Sequence, residues 1–523
     1  MGETAPSEGS PARWWPWGGA ALVGALLWVG LRDEAGAFSP DSFAFYLLGD
    51  RFWSTLQYAN PSVRDFNIPI AWPQVSRSFP PIWPLLVGLS SRFFKLGIAS
   101  SLIPAAAVLI ATGVTARALA LRLAGPGWAF AWAAFPAFAL IDVGYRDELV
   151  AGRSIPLAIL LLLLALATLL PTLEREEGLA RRAGLAGALL GSMLLVRSDD
   201  LLFVPALMGA ALLAWGRIHG WRASWRAVAV AGFALLAVMS PWMVRNVLAF
   251  GKPLVSHDAE TAVTTFPGAA YMLWFAPGRV VATVFTEPGV WGQERLAWLA
   301  ANLERSLGVT HGLIVVGPVL LAATWRWLPV TVRAFGVVTV LHAITRIALV
   351  SLTPYPDVRY LSALHLELWL LVAAVAAALA GRVAWGRWLG LAAAVSVSLA
   401  AGWQAIGAVH RTGAVLWPLA PREAEIADRY RRVGAALDGL LPAGALVASE
   451  DAEALTYYTG RPSVYLPLNA MYLPQVDWRP DMESWQRALL PRALVATPGF
   501  VQYWRMGPAV RAVPTPRDLV VIP

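Results

Sequence analysis

Long apolar runs separated by short turns rich in arginine dominate this chain. Tracts such as IPLAILLLLLALATLL and LWLLVAAVAAALA approach the roughly 20 residues that an α-helix needs to cross a bilayer. The pattern predicts a polytopic α-helical membrane protein with about eleven transmembrane helices, whereas a β-barrel would show short alternating segments. The predicted spans cover 17–32, 101–121, 127–143, 155–171, 183–197, 200–216, 226–247, 309–324, 334–352, 363–381 and 386–408.

The arginines predict which side of the membrane each loop faces. With residues 1–16 as a cytoplasmic tail, every inner loop is basic, as the positive-inside rule requires. The first apolar run is then a retained signal anchor, and the segment after residue 410 lies outside. The inner loops contain Arg117, Arg122, Arg175, Arg181, Arg182, Arg217, Arg222, Arg226, Arg326, Arg333, Arg382 and Arg387.

Composition agrees with this class. The chain is 58% hydrophobic and only 14% charged, and Lys95 and Lys252 are the only lysines behind a net charge of +8. In a soluble protein such a basic balance would suggest nucleic acid, but here membrane orientation explains it. The absence of cysteine from the sequence excludes disulfides and thiolate chemistry. The six histidines show no metal-ligand spacing and are interpreted as structural.

Past His410 the pattern changes to short strands and one short helix. LVAS, SVYLP, RALVAT and DLVVIP read as strands, and EDAEALTYYTG reads as a helix ended by Gly460. This predicts a transmembrane domain at 17–410 followed by a small extracytoplasmic α/β domain at 421–523. VASEDAEAL lacks the glycine fingerprint of a dinucleotide site, so no such cofactor is assigned.

The segments predicted to lie outside carry acids and arginines at helix ends, including an outer loop at 33–79. Ionisable groups near the membrane interior are costly and are kept mostly where they line a cavity. The sequence therefore predicts one polar chamber that opens outward. Its candidate residues are Asp41, Arg146, Asp147, Glu148, Arg153, Arg197, Asp199, Asp200, Arg245, Asn246, Arg359 and Tyr360.

Three of these residues are ambiguous from local chemistry. Asp41 follows Ser39-Pro40, so it is either part of a helix cap or a functional acid. Arg245 and Arg359 end spans on the side where the positive-inside rule disfavours them. Each therefore needs an anionic partner, which is either a neighbouring acid or a phosphate held by the planar guanidinium.

Taken in chain order, several segments resemble the GT-C superfamily of integral membrane glycosyltransferases, especially the protein O-mannosyltransferase and lipid A aminoarabinose transferase type. The pattern PW..RN...FGKP at 241–253 is the most distinctive of them. The sequence after residue 445 also resembles the extracytoplasmic domain of many such proteins. The membrane segments are SPDSFAFYLLG, FPPIWPLL, RDELVAGRSIPLAILLLLLA, LLVRSDDLLFVPAL, SPWMVRNVLAFGKPLV and DVRYLSALHLELWLL.

The resemblance implies transfer of a sugar from a polyprenyl-phosphate donor to a protein, lipid or glycan acceptor on the extracytoplasmic side. In the family an acid in the first outer loop is the catalytic base, and Asp41 matches it within Pro-Asp-x-x-x-x-Tyr. Ser42 and Phe45-Tyr46 stand where the family often has a second acid and a tyrosine pair, which puts the acceptor and any metal requirement in question. No cofactor is required by the sequence, and a divalent metal near Asp41 is compatible with it.

The chemistry of sugar transfer assigns the remaining roles. A base takes the acceptor's proton, positive charge stabilises the departing phosphate, and a single displacement inverts the anomeric carbon. Asp41 is the predicted base, and Asp147 or Glu148 would orient the acceptor or the arginines. Arg245 and Arg359 are predicted to bind the donor phosphate with help from Arg153. Supporting residues are Asn246, Tyr360, Arg197 and Tyr46.

A transporter of an anionic or lipid-linked substrate is the alternative from another class. It too would have a polar chamber between its spans. Transporters usually show repeated halves and broken helices at mid-membrane, and this sequence has no evident repeat. Its charges also collect at the outer ends of the helices, which favours the glycosyltransferase.

Overall fold

The computed structural model describes eleven stretches of the chain. They are residues 38–60, 62–63, 74–76, 79–124, 142–254, 284–352, 358–380, 420–449, 451–465, 493–496 and 519–521. The α-helices are α1 (Pro40–Thr55), α2 (Ile82–Phe94), α3 (Leu102–Ala124), α4 (Val143–Val150), α5 (Ile155–Leu169), α6 (Leu179–Leu194), α7 (Phe203–His219), α8 (Trp221–Phe250), α9 (Pro288–Val309), α10 (Leu313–Thr324), α11 (Val330–Leu352), α12 (Ser362–Ala380), α13 (Ala420–Leu440) and α14 (Ala452–Thr459).

Short strands accompany these helices. They are β1 (Ala59–Asn60), β2 (Ser62–Val63), β3 (Gln74–Val75), β4 (Val447–Ser449), β5 (Ser463–Tyr465), β6 (Ala493–Ala496) and β7 (Leu519–Val521). Single 3₁₀ turns lie at Gly97–Ser101, Leu170–Leu173, Ser198–Asp200, Trp325–Trp327 and Val358–Leu361. The described strands after residue 445 coincide with the four strands that the sequence predicts.

The protein is a polytopic α-helical membrane protein, as its hydrophobic pattern predicts. In the described residues, five helices are long and apolar enough to cross a bilayer. A bent pair, Pro288–Val309 with Leu313–Trp327, becomes a sixth if it counts as one span. The predicted spans at 17–32 and 386–408, and nearly all of 127–143, lie outside the described residues, so the count of eleven stays a prediction. The five are Gly97–Ala124, Ile155–Leu173, Trp221–Phe250, Val330–Leu352 and Arg359–Leu379.

Glycines let two pairs of helices approach closely. A Cβ built on Gly49 of α1 would lie 2.8 Å from the Gly88 nitrogen, and one on Gly88 of α2 would lie 2.7 Å from Gly49 Cα. Gly187 of α6 meets the backbone of Ala231 on α8 in the same way. Small residues at helix interfaces are the usual means of close packing in membranes. The first contact fixes α1, the helix that carries Asp41 in its first turn.

Replacing Gly88 by Ala is expected to destabilise the protein even though alanine is the better helix former. The added methyl group meets backbone atoms that cannot rotate away, and overpacking of this kind costs about 1–3 kcal/mol. Thermal unfolding of the purified protein in detergent measures it. Gly232→Ala on α8 is the matched control because a Cβ there meets nothing within 4 Å. Equal melting temperatures for the two variants would contradict the prediction.

β1 pairs with β3 in a two-stranded sheet, and a second, five-stranded sheet joins the loop after α1 to the C-terminal segment. Its order is β2-β5-β4-β6-β7, and every neighbouring pair is parallel. Four of these strands come from the C-terminal segment, while β2 comes from the loop between α1 and α2. Ser62 pairs with Ser463, and Val63 pairs with Val464. The sequence does not predict β2, because a two-residue strand carries no alternating pattern.

Candidate functional site

The first turn of α1 frees Asp41 from a capping role. Ser39 is the N-cap: its hydroxyl accepts from the Ser42 backbone nitrogen at 3.3 Å, and the Ser42 hydroxyl accepts from the Ser39 nitrogen at 3.2 Å. The Ser42 hydroxyl also donates to the carbonyl of Ala151 at 2.7 Å, just before Arg153. With both serines capping, the Asp41 carboxylate is available to another partner. That partner is Arg359, whose Nη1 lies 3.5 Å from Asp41 Oδ2.

Glu148 lies at the centre of the charged cluster. Its Oε1 is 3.1 Å from Arg153 Nη1 and 3.1 Å from Arg359 Nη1, and its Oε2 accepts from the Ile155 nitrogen at 3.3 Å. The Glu148 side chain is 1% exposed, whereas that of Asp41 is 23% exposed. Glu148 is therefore the buried counterion of two arginines, and Asp41 is the acid that an incoming molecule can reach.

Arg359 is held in place through α4. A Cβ on Gly144 would lie 2.5 Å from Arg359 Cα, so only glycine permits this approach of α4 to the 3₁₀ turn Val358–Leu361. Asp142 caps α4 by accepting from the Tyr145 nitrogen at 2.7 Å. It also accepts from the Ser362 hydroxyl at 2.6 Å and lies 2.8 Å from His365 Nδ1. These contacts tie the helix of Glu148 to the turn of Arg359.

Arg197 and Tyr360 extend the cluster into a pocket. The Arg197 guanidinium carbon lies 5.0 Å from the centre of the Tyr360 ring, and the Arg359 guanidinium carbon lies 5.3 Å from it. Arg197 Nη1 is 3.5 Å from the Ser154 hydroxyl. Arginine side chains form one part of the pocket wall, and apolar side chains of α5 form another. It is lined by Ile155, Ala158, Ile159, Leu162, Arg197, Asp200, Arg346, Arg359, Tyr360 and Ala363.

Arg245, a predicted phosphate ligand, is engaged with the loop between α1 and α2. Its Nη2 donates to the carbonyls of Ser76 at 2.6 Å and Tyr58 at 3.2 Å, and its Nη1 donates to Asn246 Oδ1 at 2.9 Å. Burial raises the pKa of the Tyr58 phenol, and the nearby charge of Arg245 offsets only part of this rise. The Tyr58 hydroxyl is therefore protonated, and it donates to the Phe79 carbonyl. Arg245 thus holds the backbone of this loop, and Asn246 supports Arg245 while its Nδ2 donates to the Pro253 carbonyl at 3.3 Å. The donor-binding role of Arg245 remains a prediction that these contacts do not support.

Two other candidates also have partners outside the cluster. Asp147 is half-exposed, with its Oδ1 3.9 Å from Arg146 Nε. Tyr46 packs edge-on against Tyr457 of α14 with ring centres 5.1 Å apart. Of the two neighbouring acids on α4, Glu148 contacts Arg153 and Arg359, whereas Asp147 lies beside Arg146.

A second buried network contributes Asp200 and Arg346 to the pocket wall. Asp200 is a predicted candidate, whereas His342, Arg346 and Glu367 are not. His342 Nε2 is 3.1 Å from Asp200 Oδ1, and His342 Nδ1 is 3.0 Å from Glu367 Oε1. Arg346 Nη2 lies 2.8 Å from Asp200 Oδ1. His342, Arg346 and Glu367 fall within predicted spans, where an ionisable residue is a functional candidate by default. That signal could have identified them from sequence.

His342→Leu is expected to destabilise the protein by about 3–5 kcal/mol, because it leaves the buried Glu367 carboxylate without its histidine. The double variant His342→Leu with Glu367→Leu is expected to recover most of that loss, since apolar replacement of both partners removes the unpaired charge. Denaturant unfolding in detergent compares the two. A double variant less stable than His342→Leu would contradict the explanation.

The described residues contain no group of three His, Asp or Glu side chains that could hold a metal ion. Asp41 and Glu148 both face arginine, which competes with a cation for the same oxygens.

The fold matches known membrane glycosyltransferases, although no family profile and no curated protein matches the sequence. ArnT from Cupriavidus metallidurans in the apo state superposes with a TM-score of 0.54 at 16% identity, over 91% of each chain. The same protein bound to undecaprenyl phosphate gives 0.53 at 14% identity, over 89% of each chain. The apo oligosaccharyltransferase of Archaeoglobus fulgidus gives 0.56 at 13% identity, over 92% of this chain and 69% of that one.

These matches define the class of fold. ArnT and the archaeal oligosaccharyltransferase are both GT-C superfamily membrane glycosyltransferases. The chain therefore has the GT-C fold, and the likeness predicted from its motifs is confirmed at the level of fold. At identities of 13–16%, the matches leave the roles of individual residues to the geometry of the site.

Proposed function

We propose that this protein is a membrane glycosyltransferase that moves a sugar from a polyprenyl-phosphate donor to an acceptor, with inversion and with Asp41 as the general base. The observation that carries the proposal is the joining of Asp41, Glu148 and Arg359, from three separate parts of the chain, in one partly open cluster. The GT-C fold supports the reaction class.

In the proposed reaction, Asp41 removes the proton of the acceptor as the acceptor atom attacks the anomeric carbon. The bond from that carbon to the phosphate oxygen breaks, and the electron pair leaves with the polyprenyl phosphate. The Arg359 guanidinium stabilises the Asp41 carboxylate before the reaction. Since Asp41 is reachable and Glu148 is not, one acid acts on the acceptor while the other keeps two arginines in position.

The pocket suits a lipid-linked phosphate. Arg153 and Arg359 share one carboxylate, and Arg197 adds further positive charge beside Tyr360. Guanidinium groups match the oxygens of a phosphate and favour the departing anion. The aliphatic face of α5 that lines the same pocket would accept the first isoprene units. ArnT has been solved with undecaprenyl phosphate, and the archaeal enzyme with dolichol-phosphate and an inhibitory peptide, which supports a donor of this class.

The proposed site faces the extracytoplasmic side, together with the C-terminal domain. The basic loops at the opposite ends of the helices support this orientation through the positive-inside rule. The acceptor is a protein, lipid or glycan that presents a nucleophilic group beside Asp41.

Undecaprenyl phosphate is expected to raise the stability of the purified protein, whereas undecaprenol, which lacks the phosphate, is not. Ligand at a hundred times its Kd adds about 2.7 kcal/mol. Arg359→Lys loses the planar fork and is expected to weaken binding about tenfold. Arg432→Lys, at an exposed arginine of α13, is the matched control. Equal stabilisation by both lipids would contradict the proposed donor class.

A further inference from the structure

Aromatic side chains of the C-terminal domain pack onto the helix that carries Asp41. The ring of Phe43 lies 5.3 Å from that of Tyr457 and 5.6 Å from that of Tyr458. Tyr46, one turn further along α1, meets Tyr457 edge-on at 5.1 Å. Tyr430 of α13 stacks on the Tyr458 ring, with the ring centres 5.2 Å apart. Phe43 is only 3% exposed, so this contact is a packed core.

Tyr457 also makes a polar contact with the membrane domain. Its hydroxyl accepts from the Ile98 backbone nitrogen at 3.1 Å, in the 3₁₀ turn between α2 and α3. Gly97 makes room for this hydroxyl, since a Cβ there would collide with it, and its φ of +56° is one that glycine adopts without strain. One tyrosine of the C-terminal domain therefore touches both α1 and the adjoining turn.

The loop that follows α1 is bound to the same domain. β2 pairs in parallel with β5, so Ser62 and Val63 form the edge of the C-terminal sheet. At its base the loop is held by Arg245, whose guanidinium donates to the carbonyls of Tyr58 and Ser76. The C-terminal domain thus holds α1 through its aromatic contacts and the loop after α1 through β2.

We propose that the C-terminal domain sets the position of Asp41 and that Tyr457 is the positioning residue through which it acts. Asp41 lies two residues before Phe43 in the first turn of α1, so a shift of the Phe43 contact moves the carboxylate relative to Arg359. The catalytic consequence rests on the proposed function, whereas the placement of Asp41 does not. Tyr457 contacts neither acid of the cluster, and its effect is expected on kcat and not on donor binding.

The first experiment measures placement alone. The natural chain has no cysteine, so Asp41→Cys introduces a single reporter thiol. Its alkylation by a maleimide is followed with and without Tyr457→Ala. Loss of two aromatic contacts is expected to raise the alkylation rate about 5- to 30-fold. Leu440→Ala, at an exposed position of α13, is the control and is expected to leave the rate unchanged. An unchanged rate in Tyr457→Ala would overturn the proposal.

The second experiment measures catalysis in the full chain with Asp41 intact. Tyr457→Ala is expected to lower kcat about 5- to 30-fold with the KM for the donor unchanged, and Tyr457→Phe to restore most of it. If Tyr457→Ala does not fold, Tyr457→Leu, which removes the ring contacts but fills part of the volume, replaces it in both experiments with the same direction of change. A fall in donor affinity with kcat unchanged would overturn the positioning role. If no polyprenyl-phosphate sugar is turned over but alkylation still depends on Tyr457, the proposed function fails and the placement stands.

Discussion

Asp41→Asn is expected to lower the rate of sugar transfer about 10²- to 10⁴-fold, the usual contribution of a positioned general base. Asparagine keeps the shape of the side chain and can still accept from Arg359, but it cannot take a proton from the acceptor. Binding of polyprenyl phosphate is expected to persist, because the arginines around Glu148 are untouched. Single-turnover transfer and lipid binding, measured on the same preparation, separate the two effects.

Asp50→Asn is the matched control for that variant. Asp50 is a half-buried residue of the same helix outside the cluster of Asp41, Glu148 and Arg359, and its replacement is expected to leave transfer within about twofold. An Asp41→Asn protein that folds, binds the lipid and transfers sugar at the wild-type rate would remove Asp41 from the proposed reaction.

Arg359→Met is expected to produce the second large loss, about 10²- to 10³-fold in kcat, together with weaker donor binding. The substitution removes the contacts to Asp41 and Glu148 at once. It also leaves Arg153 as the remaining described ion-pair partner of the buried Glu148. Breaking a buried ion pair lowers the free energy of unfolding by about 3–5 kcal/mol. Transfer kinetics, lipid binding and thermal unfolding should therefore all change.

Arg245→Met provides the informative comparison for Arg359→Met. If Arg245 holds the loop through the Tyr58 and Ser76 carbonyls, its loss lowers stability while lipid binding persists. If it binds the donor phosphate, lipid binding falls first. Wild-type lipid affinity in Arg359→Met would contradict the assignment of Arg359 to the donor.

The candidate site could be predicted in outline because charge near a membrane is costly. Arg359 stands out on the side where the predicted topology disfavours arginine, and Asp41 matches the position of the acid that the resemblance to GT-C enzymes implies. The choice between Asp147 and Glu148 could not be predicted. Neighbouring residues on a helix point about 100° apart. Which of them faces the arginines depends on the packing of α4, which Gly144 and Asp142 determine through contacts more than 200 residues away in sequence.

Other features lay beyond the sequence for similar reasons. Local chemistry allowed Asp41 to be part of a cap, and only the reciprocal bonds of Ser39 and Ser42 exclude that role. The sequence predicts that Arg245 binds phosphate because an arginine on the predicted outer side needs a partner for its guanidinium. Backbone carbonyls of a loop far away in sequence supply hydrogen-bond acceptors for it instead. The fold class could be predicted because long apolar runs determine it. The place of β2 could not be predicted, because β2 pairs with its sheet through two residues only.

Donor turnover by the wild-type protein tests the proposed function most directly. Purified protein is incubated with polyprenyl-phosphate sugars and, separately, with nucleotide sugars, and the release of polyprenyl phosphate or nucleotide is followed with and without candidate acceptors. The proposed function predicts that at least one polyprenyl-phosphate sugar is consumed, that free polyprenyl phosphate forms, and that Asp41→Asn slows its formation about 10²- to 10⁴-fold. Consumption of nucleotide sugars only, or polyprenyl phosphate release that Asp41→Asn leaves unchanged, would contradict it.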